Sequence, residues 1–221
     1  MLSIWCCCYK DMKSQTVQCL EYFRRHTKIE YVFNILSGDA LIGRSRSIAA
    51  TQFIKKSPHS YMLFIDDDVT FLPSDVETIY NNMKEGYEVI GGFYSTKDGT
   101  QLAQSNINSD IIFDGKIHEI DFAATGFMGI SKNALKSIIR KCNLPLLHEN
   151  EWGENYPFFE SGKYLKESIY ISEDWDFCNK VRASGFKVYM NSSVQIGHVG
   201  EKTYRIQDVK EYLTKQERVV E

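Results

Sequence analysis

The chain has 221 residues, 43% of them hydrophobic, and sets Lys+Arg 26 against Asp+Glu 29 for a net charge of -3. That length and apolar fraction suit one α/β domain with a full core, while the charge balance excludes a global basic field for a nucleic-acid backbone or an anionic membrane. No apolar run approaches membrane-spanning length and the N-terminus turns polar too soon for a signal peptide, so the chain reads as cytoplasmic with no transmembrane segment.

Apolar, β-prone segments alternate with helical ones through the first half, the pattern of a largely parallel sheet with crossover helices. Strands are predicted at 2–8, 31–36, 61–65 and 88–94. The first holds Cys6, Cys7 and Cys8, which alternate faces on a strand and cannot converge on one metal. With Cys19, Cys142 and Cys178 scattered, the six match neither a disulfide framework nor a CxxC site and read as reduced thiols. Val17, Leu20 and Phe23 give an apolar face to a helix from about residue 12, and Ile48, Ala49 and Phe53 do so for the next. A third helix opens at Pro73, with Ser74 and Glu77 as a capping box and Gly86 as its stop.

Short strands follow near 111–113, 117–122 and 127–130, then a helix from Ser131 bearing Ala134, Leu135 and Ile138. Residues 143–168 form an aromatic-rich loop with Trp152, Tyr156, Phe158, Phe159 and Tyr164, long enough for a lid whose rings stack on a ligand. Another helix runs from Ser172 to Gly185, two terminal strands cover 187–190 and 194–196, and residues 204–221 read as a charged surface helix.

The strongest chemical signal is Tyr61-Met62-Leu63-Phe64-Ile65 running directly into Asp66-Asp67-Asp68. On an extended chain Asp66 and Asp68 point to one side, so the outer pair can share a cation that relieves their repulsion. Oxygen ligands select a hard ion, Mg²⁺ or Mn²⁺, able also to hold two phosphates. A solvated acidic turn is the alternative, but ligands of open α/β sheets gather beyond the carboxyl ends of the strands. A second cluster, Glu173-Asp174-Trp175-Asp176, opens a helix, where simple capping also explains acidic residues. The third element is Gly197-His198-Val199-Gly200-Glu201-Lys202, a histidine after the last strand between glycines.

With Phe122-Ala123-Ala124-Thr125-Gly126-Phe127-Met128 ahead of a helix, these elements resemble the GT-A sugar-nucleotide-dependent glycosyltransferases over residues 1 to about 204. The resemblance implies a Rossmann-like GT-A single domain, α/β with a mostly parallel mixed sheet flanked by helices. Its nucleotide-binding half would span about 1–100, its sugar and acceptor half 101–204, and a helical tail 205–221. It also implies a nucleotide-sugar donor, a glycan or glycoconjugate acceptor, and Mn²⁺ or Mg²⁺. By that likeness Asp68 binds the metal, Asp66 binds metal or ribose, Asp67 sits with the nucleotide, and His198 completes the metal site. Cys8, Tyr9 and Asp39 map to the nucleotide base, Arg44 and Arg46 to its approach, Thr125 and Gly126 to the donor sugar, and Lys202 to the diphosphate. Asp174 maps to the base that deprotonates the acceptor, with Glu173 and Asp176 as runners-up.

Departures from the family pattern are Cys-Cys-Cys-Tyr at the first turn and Ser47 in the arginine segment, which leave the donor base, UDP or GDP, open. Two rivals share the chemistry. A sugar-phosphate nucleotidyltransferase would carry a Gly-rich loop after the first strand, which residues 9–13 lack. An inactive nucleotide- or carbohydrate-binding module would keep the fold without turnover.

Overall fold

The computed structural model describes residues 1–105, 110–149, 153–161, 163–165 and 169–209. Strand β3 (Tyr61–Ile65) shows how the sequence dictates the layers. Met62 and Phe64 enter a core with Phe53, Phe158 and Phe177, whereas Leu63 and Ile65 enter a second core with Phe23, Val76 and Ile79. A strand buried on both faces needs a continuous apolar run, and Tyr-Met-Leu-Phe-Ile supplies one.

Around it lie β1 (Leu2–Cys8), β2 (Tyr31–Ser37), β5 (Val89–Phe93), β6 (Ile117–Glu119), β7 (Phe127–Ser131) and β12 (Tyr189–Gln195). They form a seven-stranded sheet in the order β2-β1-β3-β7-β5-β12-β6. Strands β2, β1, β3, β5 and β12 run one way, and β7 and β6 run against them. Helices α1 (Ser14–His26) and α3 (Pro73–Lys84) cover one face through Phe23, Val76 and Ile79. Helices α2 (Ile42–Lys56), α4 (Lys132–Lys141) and α5 (Glu173–Ala183) cover the other through Phe53, Ala134 and Phe177. A smaller sheet joins β4 (Val69–Thr70), β13 (Gly197–Val199) and β14 (Thr203–Tyr204) in the order β14-β13-β4. Among the described residues no helix is long and apolar enough to cross a membrane.

The α/β reading and most element bounds hold, with corrections of local cause. Helix α3 is closed by Asp75, whose carboxylate accepts from the Leu72 N–H at 2.7 Å, and Glu77 instead accepts from Thr27. Residues 111–113 form no strand, because Phe113 turns its ring onto Phe93 at 4.9 Å rather than pairing its backbone. The strand foreseen at 117–122 stops at Glu119. Within 143–168 the described parts hold the hairpin β8 (Leu147–Glu149) and β9 (Gly153–Asn155), and β10 (Lys163–Leu165) paired with β11 (Ile169–Ile171). Phe158 and Phe159 are core residues, Phe159 stacking on Phe177 at 4.4 Å. Trp152, the Tyr164 side chain and the tail from residue 210 lie outside the described residues.

The cysteines behave as small hydrophobes: all six are free, and Cys6, Cys7 and Cys8 are buried. Burial pushes the Cys7 and Cys8 thiols up to about 11, so they stay protonated at neutral pH.

The segment ahead of β10 is held to α5 by a buried lysine. Lys180 donates to the carbonyls of Pro157 (2.6 Å) and Phe158 (3.2 Å) and pairs with Asp176 (2.6 Å) and Glu160 (2.8 Å). Asp176 therefore faces this anchor, and its acidic character answers Lys180 rather than a ligand. Replacing Asp176 by alanine leaves a buried ammonium short of a counter-charge and is expected to cost about 3 kcal/mol of stability in urea unfolding. A loss below about 1 kcal/mol would show that the carbonyls alone hold Lys180.

Candidate active site

Every sequence candidate that meets in space does so at one edge of the sheet. Tyr9 follows β1, Asp39 follows β2, the Asp66–Asp68 trio follows β3, and Tyr94 to Lys97 follow β5. These are the carboxyl ends of the parallel strands, where the chain leaves the sheet and backbone groups are free to meet a ligand. The resulting cavity of about 460 Å³ is lined by Tyr9, Asp39, Arg46, all three aspartates, Asp174 and His198, and also by Lys97.

The backbone turns over Asp67 and Asp68 instead of staying extended, so the outer carboxylates engage different partners. Asp66 takes a bidentate bond from Arg46 Nη2, at 3.1 and 2.9 Å. Arg46 is 4% exposed, and its Nη1 reaches Asp174 Oδ1 at 2.8 Å and Glu173 Oε1 at 3.3 Å. The arginine expected to approach a nucleotide is thus the buried counter-ion of three carboxylates. Only its buried Nε lacks a protein partner among the described residues.

Asp174 stands in the first turn of α5, whose N-cap Ser172 accepts from the Trp175 N–H at 3.3 Å. Its Oδ1 accepts from Arg46 and, at 2.6 Å, from the Thr125 hydroxyl, while no described group bonds Oδ2. Burial pushes its carboxyl above the ordinary range, outweighing the Arg46 charge that pulls it down. The helix N-terminus favours the ionised form, and desolvation opposes it.

Asp68 is held from the far end of the chain. Strand β13 pairs with β4, setting His198 opposite Val69, and the Val199 N–H donates to the Asp68 carbonyl at 2.7 Å. His198 Nε2 then lies 3.3 Å from Asp68 Oδ1, and Lys97 Nζ 2.5 Å from Asp68 Oδ2. Burial raises the Asp68 carboxyl, but His198 and Lys97 together hold it below its ordinary value.

A hard divalent cation fits this pair. His198 Nδ1 faces the Ser95 carbonyl at 2.8 Å, and a carbonyl can only accept, so Nδ1 carries the proton. In the neutral ring Nε2 then turns a lone pair toward Asp68 Oδ1, and two acceptors at that separation call for a proton or a cation between them. Among the described residues no three His, Cys, Asp or Glu side chains form a ready metal-ligand group, since Asp66 is turned to Arg46.

Other candidates lie around the cavity rather than on it. Cys7, not Cys8, reaches the cavity from β1, and the Cys8 thiol meets Asp67 on the opposite face of the strand. Arg44 clamps Asp39 with two bonds of 2.8 Å, which occupies both carboxylate oxygens and lowers the Asp39 carboxyl below its ordinary value. Thr125 is fully buried beneath the floor as the support of Asp174. Gly126 donates to Tyr94 Oη at 2.9 Å, and a Cβ there would sit 2.8 Å from Asp66 Oδ2. Lys202 pairs with Asp208 at 2.8 Å and does not line the cavity, whereas Lys97 does. Lys97 went unremarked in the sequence although it follows the carboxyl end of β5, and that position was its signal.

Residues 42–139 match the family model described as Glycosyl transferase family 2, a stretch running from α2 through α4 and containing the aspartate trio. Among solved structures, the crystal structure of A197 from STIV is similar over 94% of this chain and 92% of that chain, at 20% sequence identity and a TM-score of 0.62. At that identity the likeness shows the fold, which is of the GT-A type. No curated protein matches. The family match supports glycosyl transfer as the general class of activity.

Arg46 is the element on which three carboxylates depend. Arg46→Lys keeps the charge but loses the planar fork, leaving buried carboxylate oxygens without donors. A loss of about 3 kcal/mol is expected by chemical denaturation, and near-wild-type stability would show that the carboxylates do not rely on the guanidinium.

Proposed function

We propose that this chain moves a sugar from a nucleotide diphosphate donor, a UDP- or GDP-sugar, to a hydroxyl of a glycan or glycoconjugate acceptor, with Mn²⁺ or Mg²⁺ at Asp68 and His198. The observation that carries the reading is that one cavity holds both the Asp68–His198 pair and a half-buried carboxylate, Asp174, with one oxygen unspent. When bound, the cation supplies a Lewis acid that offsets charge developing on the diphosphate leaving group.

The protein's own residues divide the remaining work. Lys97, exposed at the cavity wall and paired to Asp68, would offer its ammonium to a phosphate of the donor. Tyr9, 52% exposed on the same rim, offers a ring face to the base. Asp66 enters as the partner that fixes Arg46, and the remaining lone pairs of its carboxylate, on the cavity wall, can meet a metal or a ribose hydroxyl. Asp174 Oδ2 takes the acceptor hydroxyl's proton, while Arg46 and Thr125 keep Oδ1 in place. The six free cysteines, three of them buried on β1, suit a reducing cytoplasmic compartment.

The metal assignment is tested by calorimetric titration of UDP and GDP with Mn²⁺. Asp68→Ala is expected to abolish the Mn²⁺-dependent part of binding and His198→Ala to weaken it by at least about tenfold, which is what even a lost outer-shell partner of a metal ligand costs. Unchanged Mn²⁺-dependent affinity in Asp68→Ala would rule the site out.

The base assignment is tested by turnover and its pH dependence. Asp174→Asn is expected to lose roughly two to four orders of magnitude in kcat with donor affinity retained. Because the base acts deprotonated, activity falls as pH drops through the Asp174 pKa, and burial places that acid limb above the ordinary carboxylate range. Thr125→Val removes a hydrogen bond that favours the charged form, so the limb should move to still higher pH. A limb that Thr125→Val leaves in place would assign it to another group. Release of pyrophosphate instead of nucleoside diphosphate would indicate a nucleotidyltransferase.

A further inference from the structure

A second cavity, of about 490 Å³, adjoins the first: Ala103 lines both, and the first turn of α5 borders both, with Asp174 on one and Trp175 on the other. The described lining of this second cavity carries no charge. Its walls are Trp175, Val209, Leu102 and Ala103 together with the polar Thr100, Gln101, Gln104 and Ser105. The contrast with the first cavity, which gathers five aspartates, an arginine, a lysine and a histidine, is chemical and not only spatial.

Trp175 is the feature that names a ligand class. One face of its indole is stacked on Phe122, with ring centroids 4.0 Å apart and planes within 10°, and Phe122 is itself buried and backed by the Arg182 guanidinium at 4.9 Å. The ring is thereby fixed, and it also lines the cavity. No described group bonds the indole N–H. A rigid aromatic face with amide and hydroxyl groups around it suits a ligand with one apolar face and a rim of hydroxyls. The geometry points to a carbohydrate subsite: we infer that a neutral pyranoside stacks on Trp175 and is the acceptor sugar, its hydroxyls met by Gln101, Thr100 and Ser105.

This inference rests on the transferase reading for the word acceptor, and on the second cavity alone for the word carbohydrate. It also moves the acceptor platform from the 143–168 loop to α5. That placement has a consequence for the reaction. A sugar held against Trp175 lies beside the residue next to Asp174 in the chain, so its reactive hydroxyl need cross only the shared wall at Ala103 to meet the base.

The test uses a panel of methyl α- and β-hexopyranosides and methyl N-acetylhexosaminides as probes. They are added to the whole chain saturated with UDP or GDP and Mn²⁺, and binding is read by saturation-transfer NMR. At least one probe should bind saturably, Trp175→Ala should weaken it at least about fivefold, and Trp175→Tyr should stay within about twofold, as expected for loss and retention of an aromatic face. Gln101→Trp, at an exposed position on the rim, should block the probe without disturbing the Phe122 stack, and decides the matter if Trp175→Ala fails to fold. Nucleoside diphosphate affinity should be unchanged in all three variants. Absence of binding by every probe to a nucleotide-saturated protein overturns the inference and leaves the transferase reading intact, as does binding that persists in Gln101→Trp. Trp175-dependent glycoside binding by a protein that binds no nucleotide would instead uphold the carbohydrate subsite and remove the transferase reading.

Discussion

Three carboxylates from two distant stretches of chain, Asp66 after β3 and Glu173 and Asp174 at the start of α5, converge on Arg46 beside one cavity, and its guanidinium makes that arrangement affordable. Like charges brought this close in a poorly solvated place would protonate or push apart. A guanidinium, always charged and presenting donors in a fixed fork, holds all three from a single position on α2. The backbone accommodates this through Gly43: a Cβ there would lie 2.8 Å from the Phe159 carbonyl and 3.3 Å from Glu173 Cβ, so the N-termini of α2 and α5 approach only because residue 43 has none.

A second charged group, built differently, lies across the same cavity. Asp68 is drawn to His198 and Lys97, and the pairing of β4 with β13 fixes that contact by backbone register. Gly200 tightens it, since a Cβ at this position would run into the Lys97 carbonyl. The two groups separate the roles of the outer aspartates. Asp66 bonds the buried Arg46, whereas Asp68 faces a histidine nitrogen and an exposed ammonium.

Much of this was legible in the sequence because it depends on local chemistry. The continuous apolar run of β3, the cap at Ser131, the stops at Gly86 and Gly185, and the aspartate trio at a strand's carboxyl end each follow from short-range rules. What was not legible depends on partners far along the chain. The alternation of Cys6, Cys7 and Cys8 could be read, but which face meets the cavity could not, and it is Cys7. Arg46 was assigned to the approach of a nucleotide because its three carboxylate partners, 20 to 128 positions away, could not be read from its neighbours. Lys202, four residues after His198, suggested a phosphate ligand, yet the turn into β14 sends it to Asp208. Asp75 displaced Glu77 as the α3 cap because the helix opens at Pro73, two residues earlier than a Ser74 cap allows.

The acidic turn of α5 shows why composition alone could not choose among Glu173, Asp174 and Asp176. All three gain from the helix N-terminus, so the macrodipole explains their presence without ranking them. Helical geometry does the ranking: residues 174 and 176 are set about 200° apart around the axis and meet opposite environments. Asp176 turns to Lys180 and anchors the segment at Pro157 and Phe158, whereas Glu173 and Asp174 turn to Arg46. Between those two, the Thr125 hydroxyl adds a second donor to Asp174 Oδ1, so that one oxygen is doubly fixed and the other faces no described protein partner. A carboxylate held by one oxygen and open at the other can accept a proton without moving, and in this turn Asp174 alone combines that with a place on the cavity wall.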